Sequence, residues 1–190
     1  MAKDPVVQIG DPVLRQRAAP VAKKDIGSHN IRSVITRMKK ALAQEDFGVA
    51  IAAPQVGEPL RIFVVGGSVF QKKDAQKPLD GGSKKSAEPD RVFINPKITR
   101  LSKKTKEMSE GCLSVRGKYG TVMRHERVSL TALDEQGTPV SYNAAGLLGH
   151  IFQHECDHLE GVLYTDKTIK IEEDDDLAGA RAKLKQKHGR

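Results

Sequence analysis

The chain has 190 residues, a formal net charge of +8, two cysteines and no tryptophan. That length suits one domain with a real core. No apolar run reaches membrane-spanning length, and two cysteines build no disulfide framework. The start, Met1-Ala2-Lys3-Asp4-Pro5, is polar and lacks the apolar segment of a secretory signal. A reducing cytoplasm is the expected compartment.

The charge is uneven. Residues 91–106 carry Arg91, Lys97, Arg100, Lys103, Lys104 and Lys106 without an acid, and residues 181–190 carry Arg181, Lys183, Lys185, Lys187 and Arg190, again without one. Such surfaces attract polyanions, although a basic run also serves plain solubility.

In chain order, Val6-Val7-Gln8-Ile9 is a short extended piece closed by Gly10-Asp11-Pro12, with Val13 and Leu14 as anchors to the core. Residues 28–43 predict a helix whose apolar face is Ile31, Val34, Ile35, Met38 and Leu42, capped by Ser28 or Asn30. Residues 48–57, GVAIAAPQVG, are rich in small side chains and read as a loop that allows close backbone approach; Gln55 is its strong donor. Residues 60–65 read as a buried strand. Residues 66–90 are rich in Gly, Lys, Asp and Pro and read as a flexible surface insertion, after which Val92-Phe93-Ile94 resumes strand character.

Residues 127–133 alternate with period two, 134–137 form a turn, and 138–142 return as a second strand. A main helix is predicted over 147–161, with Asn143 as N-cap and Gly161 as its stop. Val162-Leu163-Tyr164 leaves it as an extended exit, and Glu172 to Asp176 opens a C-terminal helix. Strands in the middle followed by a helix predict an α+β fold, a mostly antiparallel sheet packed around that helix. The expected organisation is a domain over 1–170, with the insertion at 66–90, and a charged helix or tail over 171–190.

The main helix contains His154-Glu155-Cys156-Asp157-His158, an H-E-x-x-H pattern. Residues four apart share a helix face, so His154 and His158 are able to bind one metal ion while Glu155 stands beside it as a proton carrier. An amphipathic helix with satisfied histidines is the competing reading. His150 lies eight residues from His158, about 12 Å along the axis, too far to share an ion, and reads as a wall residue. Cys156 reads as a packed side chain. A third ligand is needed. Tyr164 stands where one zinc-protease pattern has histidine, Glu172 and Glu173 sit in an acidic run resembling a solvated helix start, and Cys112 remains as a thiolate candidate.

Three stretches together, GVAIAAPQ at 48–55, Glu110-Gly111-Cys112-Leu113-Ser114, and Gln153-His154-Glu155-Cys156-Asp157-His158, resemble the peptide deformylase family, as does residues 10–15, GDPVLR. The resemblance implies a metal site of Cys112, His154 and His158, holding Fe(II) in cells and Zn, Ni or Co in preparations. It implies hydrolysis of the N-formyl group of formylmethionine on new chains in a bacterium or organelle, giving formate and a free amine. Metal-bound water would attack the formyl carbon with Glu155 as general acid and base. The Gln55 amide and the Leu113 N–H would bind the oxyanion. The methionine pocket would use Gly48, Val49, Ala50, Met108, Leu147 and Ile151, with His150 at the rim and Glu110 orienting a ligand histidine. Ala50 departs from the family's second glycine; its methyl narrows the cleft near the substrate backbone and is tolerated where φ stays negative. Partners implied are nascent formylated chains and, through the basic tail, the ribosome; neither a membrane nor a specific DNA is expected. Rival classes are another metallohydrolase, such as an endopeptidase, and a metal-binding protein without turnover.

Overall fold

The computed structural model describes residues 4–70 and 88–173. The five-stranded sheet has the order β1-β2-β3-β6-β7 and the three-stranded sheet the order β4-β5-β8, with all named strand pairs antiparallel. The strands are β1 (Ala50–Ala52), β2 (Ile62–Val65), β3 (Arg91–Leu101), β4 (Thr105–Cys112), β5 (Val115–His125), β6 (Arg127–Leu133), β7 (Pro139–Ala145) and β8 (Thr168–Glu173); α1 spans His29–Leu42 and α2 spans Gly146–Leu159. The expected α+β class holds.

The larger sheet is covered on both faces, which explains why β2 is buried at every position. Ile62 and Val64 point with Ile51, Val92 and Ile94 into a core closed by Ile31, Val34, Ile35 and Met38 of α1. Phe63 and Val65 point the other way, with Phe93, Val128 and Leu130, against Ile151, Phe152 and Leu159 of α2. Phe63 stacks on Phe93 at 4.7 Å, and Phe152 meets Phe93 edge-on at 5.2 Å. The other side of α2 faces the small sheet, so α2 is a middle layer with its polar stripe turned toward β4 and β5.

The α1 expectation holds to its cap: Ser28 Oγ accepts from the Ile31 N–H. At α2 the N-cap is Ala145, without a side-chain bond. Asn143 instead lies within β7 and accepts from Ser129 Oγ at 2.7 Å, because β7 runs on past Tyr142. The helix stops where expected: Gly161 has φ +74°, and a Cβ there would stand 2.5 Å from the Arg15 carbonyl oxygen.

Residues 48–57 are more ordered than a loop: β1 pairs with β2, and a 3-10 turn, Ala53–Val56, follows. Small side chains let this strand sit between two layers. Glu172 and Glu173 belong to β8 and do not begin a helix; Ile169 and Ile171 supply the period-two signal. The boundary expected between residues 170 and 171 therefore falls inside a strand. β5, the centre of the small sheet, is an additional strand. Of the expected insertion, Gly67–Phe70 forms a 3-10 turn and the Gly67 N–H donates to Asp90 Oδ1 at 3.0 Å; residues 71–87, and the tail from 174, lie outside the described residues.

Candidate metal centre

Three segments converge on the polar face of α2. The helix supplies His154, Glu155 and His158, the end of β4 supplies Glu110 and Cys112, and the 3-10 turn after β1 supplies Gln55. One ligand atom from each of Cys112, His154 and His158 lies within 4.8 Å of the other two. Cys112 Sγ is 3.2 Å from His158 Nε2. A bulge between Gly111 and Cys112 breaks the β4–β5 register there and ends regular pairing at Cys112.

The surrounding bonds orient these groups. His154 Nδ1 donates to Glu110 Oε2 at 2.7 Å, which leaves its Nε2 for an ion. Gln55 Oε1 accepts from the Ala52 N–H at 2.8 Å; this fixes the amide so that Nε2 points to Ser114 Oγ (3.2 Å) and Cys112 Sγ (3.5 Å). Ser114 is fully buried and serves as the far anchor of that amide. Glu110 is itself held by Arg124, whose Nε and Nη2 donate to its two oxygens at 2.6 and 3.0 Å. The third arm of Arg124 reaches Asp157 at 2.6 Å.

His150 does more than line a wall: it lies 2.5 Å from Glu110 Oε1. Arg124 and Ser114 are the site residues that the sequence reading missed. Cys156, by contrast, is packed as expected, and burial pushes its thiol up to about 12. Tyr164, in the position of a third histidine, is buried and donates its hydroxyl to the Lys118 carbonyl at 3.0 Å.

The donor set suits a soft or borderline divalent cation. Burial raises the Cys112 thiol, but the charge of His158 and the hydrogen bonds of both histidines outweigh it and hold the thiol down to about 5. Burial lowers His154, yet its bonds to Cys112 and Glu110 keep it well above the usual imidazole range. Glu110 is pushed up by burial and pulled far below the carboxylate range by His150, His154 and Arg124. A thiolate at Cys112 and a carboxylate at Glu110 supply negative charge beside the ligand atoms. Two buried atoms have no hydrogen-bond partner among the described residues, Glu155 Oε2 and His158 Nδ1. A carboxylate oxygen left alone beside the cluster fits an ion with its own water.

A cleft of about 510 Å³ opens onto the centre. Gly48, Val49, Ala50, Gln55, Glu110, Cys112, Leu113, Leu147, His150, Ile151, His154 and Glu155 all line it. Met108 does not: it sits two residues before Glu110 on β4, opposite Val122, about 7 Å further along the strand. Ala50 pairs with Val65 in extended backbone, and Asn95 is the one non-glycine with positive φ among the described residues, so the Ala50 methyl carries no backbone strain.

An H-E-x-x-H helix faces a cysteine and a fixed amide at the bottom of a cleft, the donor arrangement that a metal-dependent hydrolase would use. The sequence pattern of the family described as Polypeptide deformylase matches residues 3–174. The peptide deformylase of Halothermothrix orenii is 39% identical over 173 residues, covering 90% of this chain and 98% of that protein. Peptide deformylase 1A, chloroplastic, of Solanum lycopersicum is 39% identical over 166 residues, 85% of this chain and 58% of its own length. The Met-Ala-Ser-bound class I type b peptide deformylase of Acinetobacter baumannii superposes with a TM-score of 0.72 at 31% identity, over 86% of this chain and 96% of that one. The chain belongs to the peptide deformylase family. It spans 58% and 61% of the lengths of the plant relatives it matches.

Proposed function

We propose that this protein removes the formyl group from the N-terminal formylmethionine of newly made polypeptides, giving formate and a free amine. Its family and the centre at α2 support the reading. The observation that carries it is the convergence of Cys112, His154 and His158 beside a buried, unpartnered Glu155 oxygen.

Cys112, His154 and His158 would hold one divalent ion, which when bound supplies a Lewis acid and lowers the pKa of a coordinated water. The family resemblance favours Fe(II) in cells, with Zn, Ni or Co as substitutes. Burial pushes the Glu155 carboxyl up to about 7, against the charges of His154 and His158. A carboxyl so placed takes a proton from water and returns one to the departing amine near neutral pH. The Gln55 Nε2–H, locked by Ala52 and Ser114, and the Leu113 N–H would donate to the oxyanion on the formyl carbon. Glu110 keeps His154 in one tautomer. Ile151 is buried in the cleft while Val49 and Leu147 stand at its mouth, an apolar lining for an unbranched thioether side chain.

Met-Ala-Ser, which the Acinetobacter enzyme binds, carries the free methionine amine that the proposed reaction leaves. The cytoplasm, or an organelle with bacterial-type translation, is the proposed compartment. Ribosome docking by residues 181–190 rests on their charge alone. The iron-loaded protein should release formate from formyl-Met-Ala-Ser, far faster than from formyl-Asp-Ala-Ser. Cleavage of an internal bond of unblocked Met-Ala-Ser without formate release from the blocked peptide would assign an endopeptidase instead.

A further inference from the structure

A second recess, of about 670 Å³, lies where the ends of β3, β6 and β7 meet, and it shares no lining residue with the cleft. Arg100 near the end of β3, Lys103 just beyond it and Arg127 at the start of β6 surround it, with Ser102, Ser129 and Asn143 between them. No acid lines it. Pairing in register sets this up: Arg100 stands opposite Ser129, Ser129 opposite Asn143, and Arg127 opposite Ala145.

The basic run at 91–106 is not uniform in the folded chain. Arg91 pairs with Glu88 and Lys104 with Glu126, whereas Arg100, Lys103 and Arg127 have no ion pair among the described residues. Three uncompensated cations around one hollow focus positive potential into it. The hollow is built: the Arg127 N–H donates to Ser102 Oγ at 3.1 Å, the Ser102 N–H to the Arg127 carbonyl at 2.9 Å, and Ser129 Oγ holds Asn143 at 2.7 Å. Buried Val128 and Ala144 belong to its wall.

We propose that this recess binds phosphate groups of an RNA backbone, independently of catalysis. A recess ringed by cations suits a narrow polyanion that lies along it, and the hydroxyl and amide groups between them suit phosphate and sugar oxygens. A flat bilayer surface would meet the cations at the rim and leave the hydroxyl and amide groups between them unused. The recess is next to the cleft along the chain: Ala145 lines one and Leu147 the other. RNA held here would touch a lining separate from that of the cleft.

The test uses the full chain and a fluorescent single-stranded RNA over a salt series. The triple variant Arg100→Gln, Lys103→Gln, Arg127→Gln should bind more weakly, and its log affinity against log salt should be shallower by about 2, for three phosphate contacts at about 0.7 each. A control, Lys23→Gln, Lys24→Gln, Lys40→Gln, removes the same charge elsewhere and should keep the wild-type slope. Both variants should hydrolyse a formyl dipeptide at the wild-type rate, so failure here is separable from failure of the deformylase reading. Equal slopes in the two variants, or no loss in the first, would overturn the site. Loss of binding to anionic phospholipid vesicles with RNA binding intact would overturn it in favour of a membrane surface.

Discussion

Glu110 shows how much of the centre depends on side chains other than the three candidate metal ligands. Its two oxygens hold His150 and His154 and take two bonds from Arg124, itself tied to Asp157 in the turn below His154. A buried pair broken on one side leaves a charge without compensation. Arg124→Ala should therefore cost about 3–5 kcal/mol in urea unfolding and lower metal occupancy, because Glu110 then loses the group that fixes it. A loss under about 1 kcal/mol would show that water replaces the guanidinium. His154, Glu155 and His158 were legible because i and i+4 on a helix is a local geometry. Cys112 was legible as the thiolate candidate left after the other third ligands, and the family resemblance singled it out, since no local rule spans the 46 residues to His158. Arg124 was not legible: a buried cation in a strand looks like a solvent-facing one until its acids are placed around it.

At the scale of elements, the N-terminal segment ties two turns of the site together. The Val7 N–H donates to the Gln55 carbonyl and the Ile9 N–H to the Ser114 carbonyl, both at 2.8 Å. Between them, Gln8 Nε2 donates to the carbonyls of Leu113 and Val6 at 3.1 Å. This strap holds the backbone on the C-terminal side of Gln55 and Leu113, the residues that carry the proposed oxyanion donors. Gln8→Ala removes bonds worth about 1 kcal/mol each, so kcat should fall several-fold, up to about tenfold, with KM and metal content held. A change in KM alone would make the strap a substrate contact. The segment was legible as extended, but its partners were not, because hydrogen bonds to turns leave no periodicity in a sequence. β5 and β8 were obscured for related reasons: Gly117 and Gly120 in β5 look like turn residues, and the acids ending β8 look like the start of a helix. Gly120 is a close-approach position, where a Cβ would meet Thr168 Oγ1 at 2.4 Å.

Over the whole molecule, the sheet–helix–sheet layering places α2 between two sheets and lets candidate ligands distant in sequence meet on it. Contacts between far segments support this arrangement, among them Arg15 on Asp166, whose oxygen also accepts from the Leu163 N–H at 2.9 Å. The Arg15 bond holds the Asp166 carboxyl below the usual aspartate range. A depressed folded value stabilises the protein above the unfolded pKa of about 3.9, and that contribution fades as pH falls through the folded value. Both groups are over a third exposed, so the effect is small and screened by salt. Asp166→Asn should lower Tm slightly at neutral pH and low salt, with the difference from wild type shrinking below about pH 4; a difference that grows in acid would contradict the assignment. The claim on which the rest depends is that α2 presents a metal centre with Glu155 as its proton carrier. Paired determinations of bound metal and formate release in Glu155→Gln test it most directly. Glu155→Gln should keep full metal stoichiometry on Cys112, His154 and His158 with turnover reduced by at least about a hundredfold; turnover near the wild-type rate at full metal loading would contradict that role.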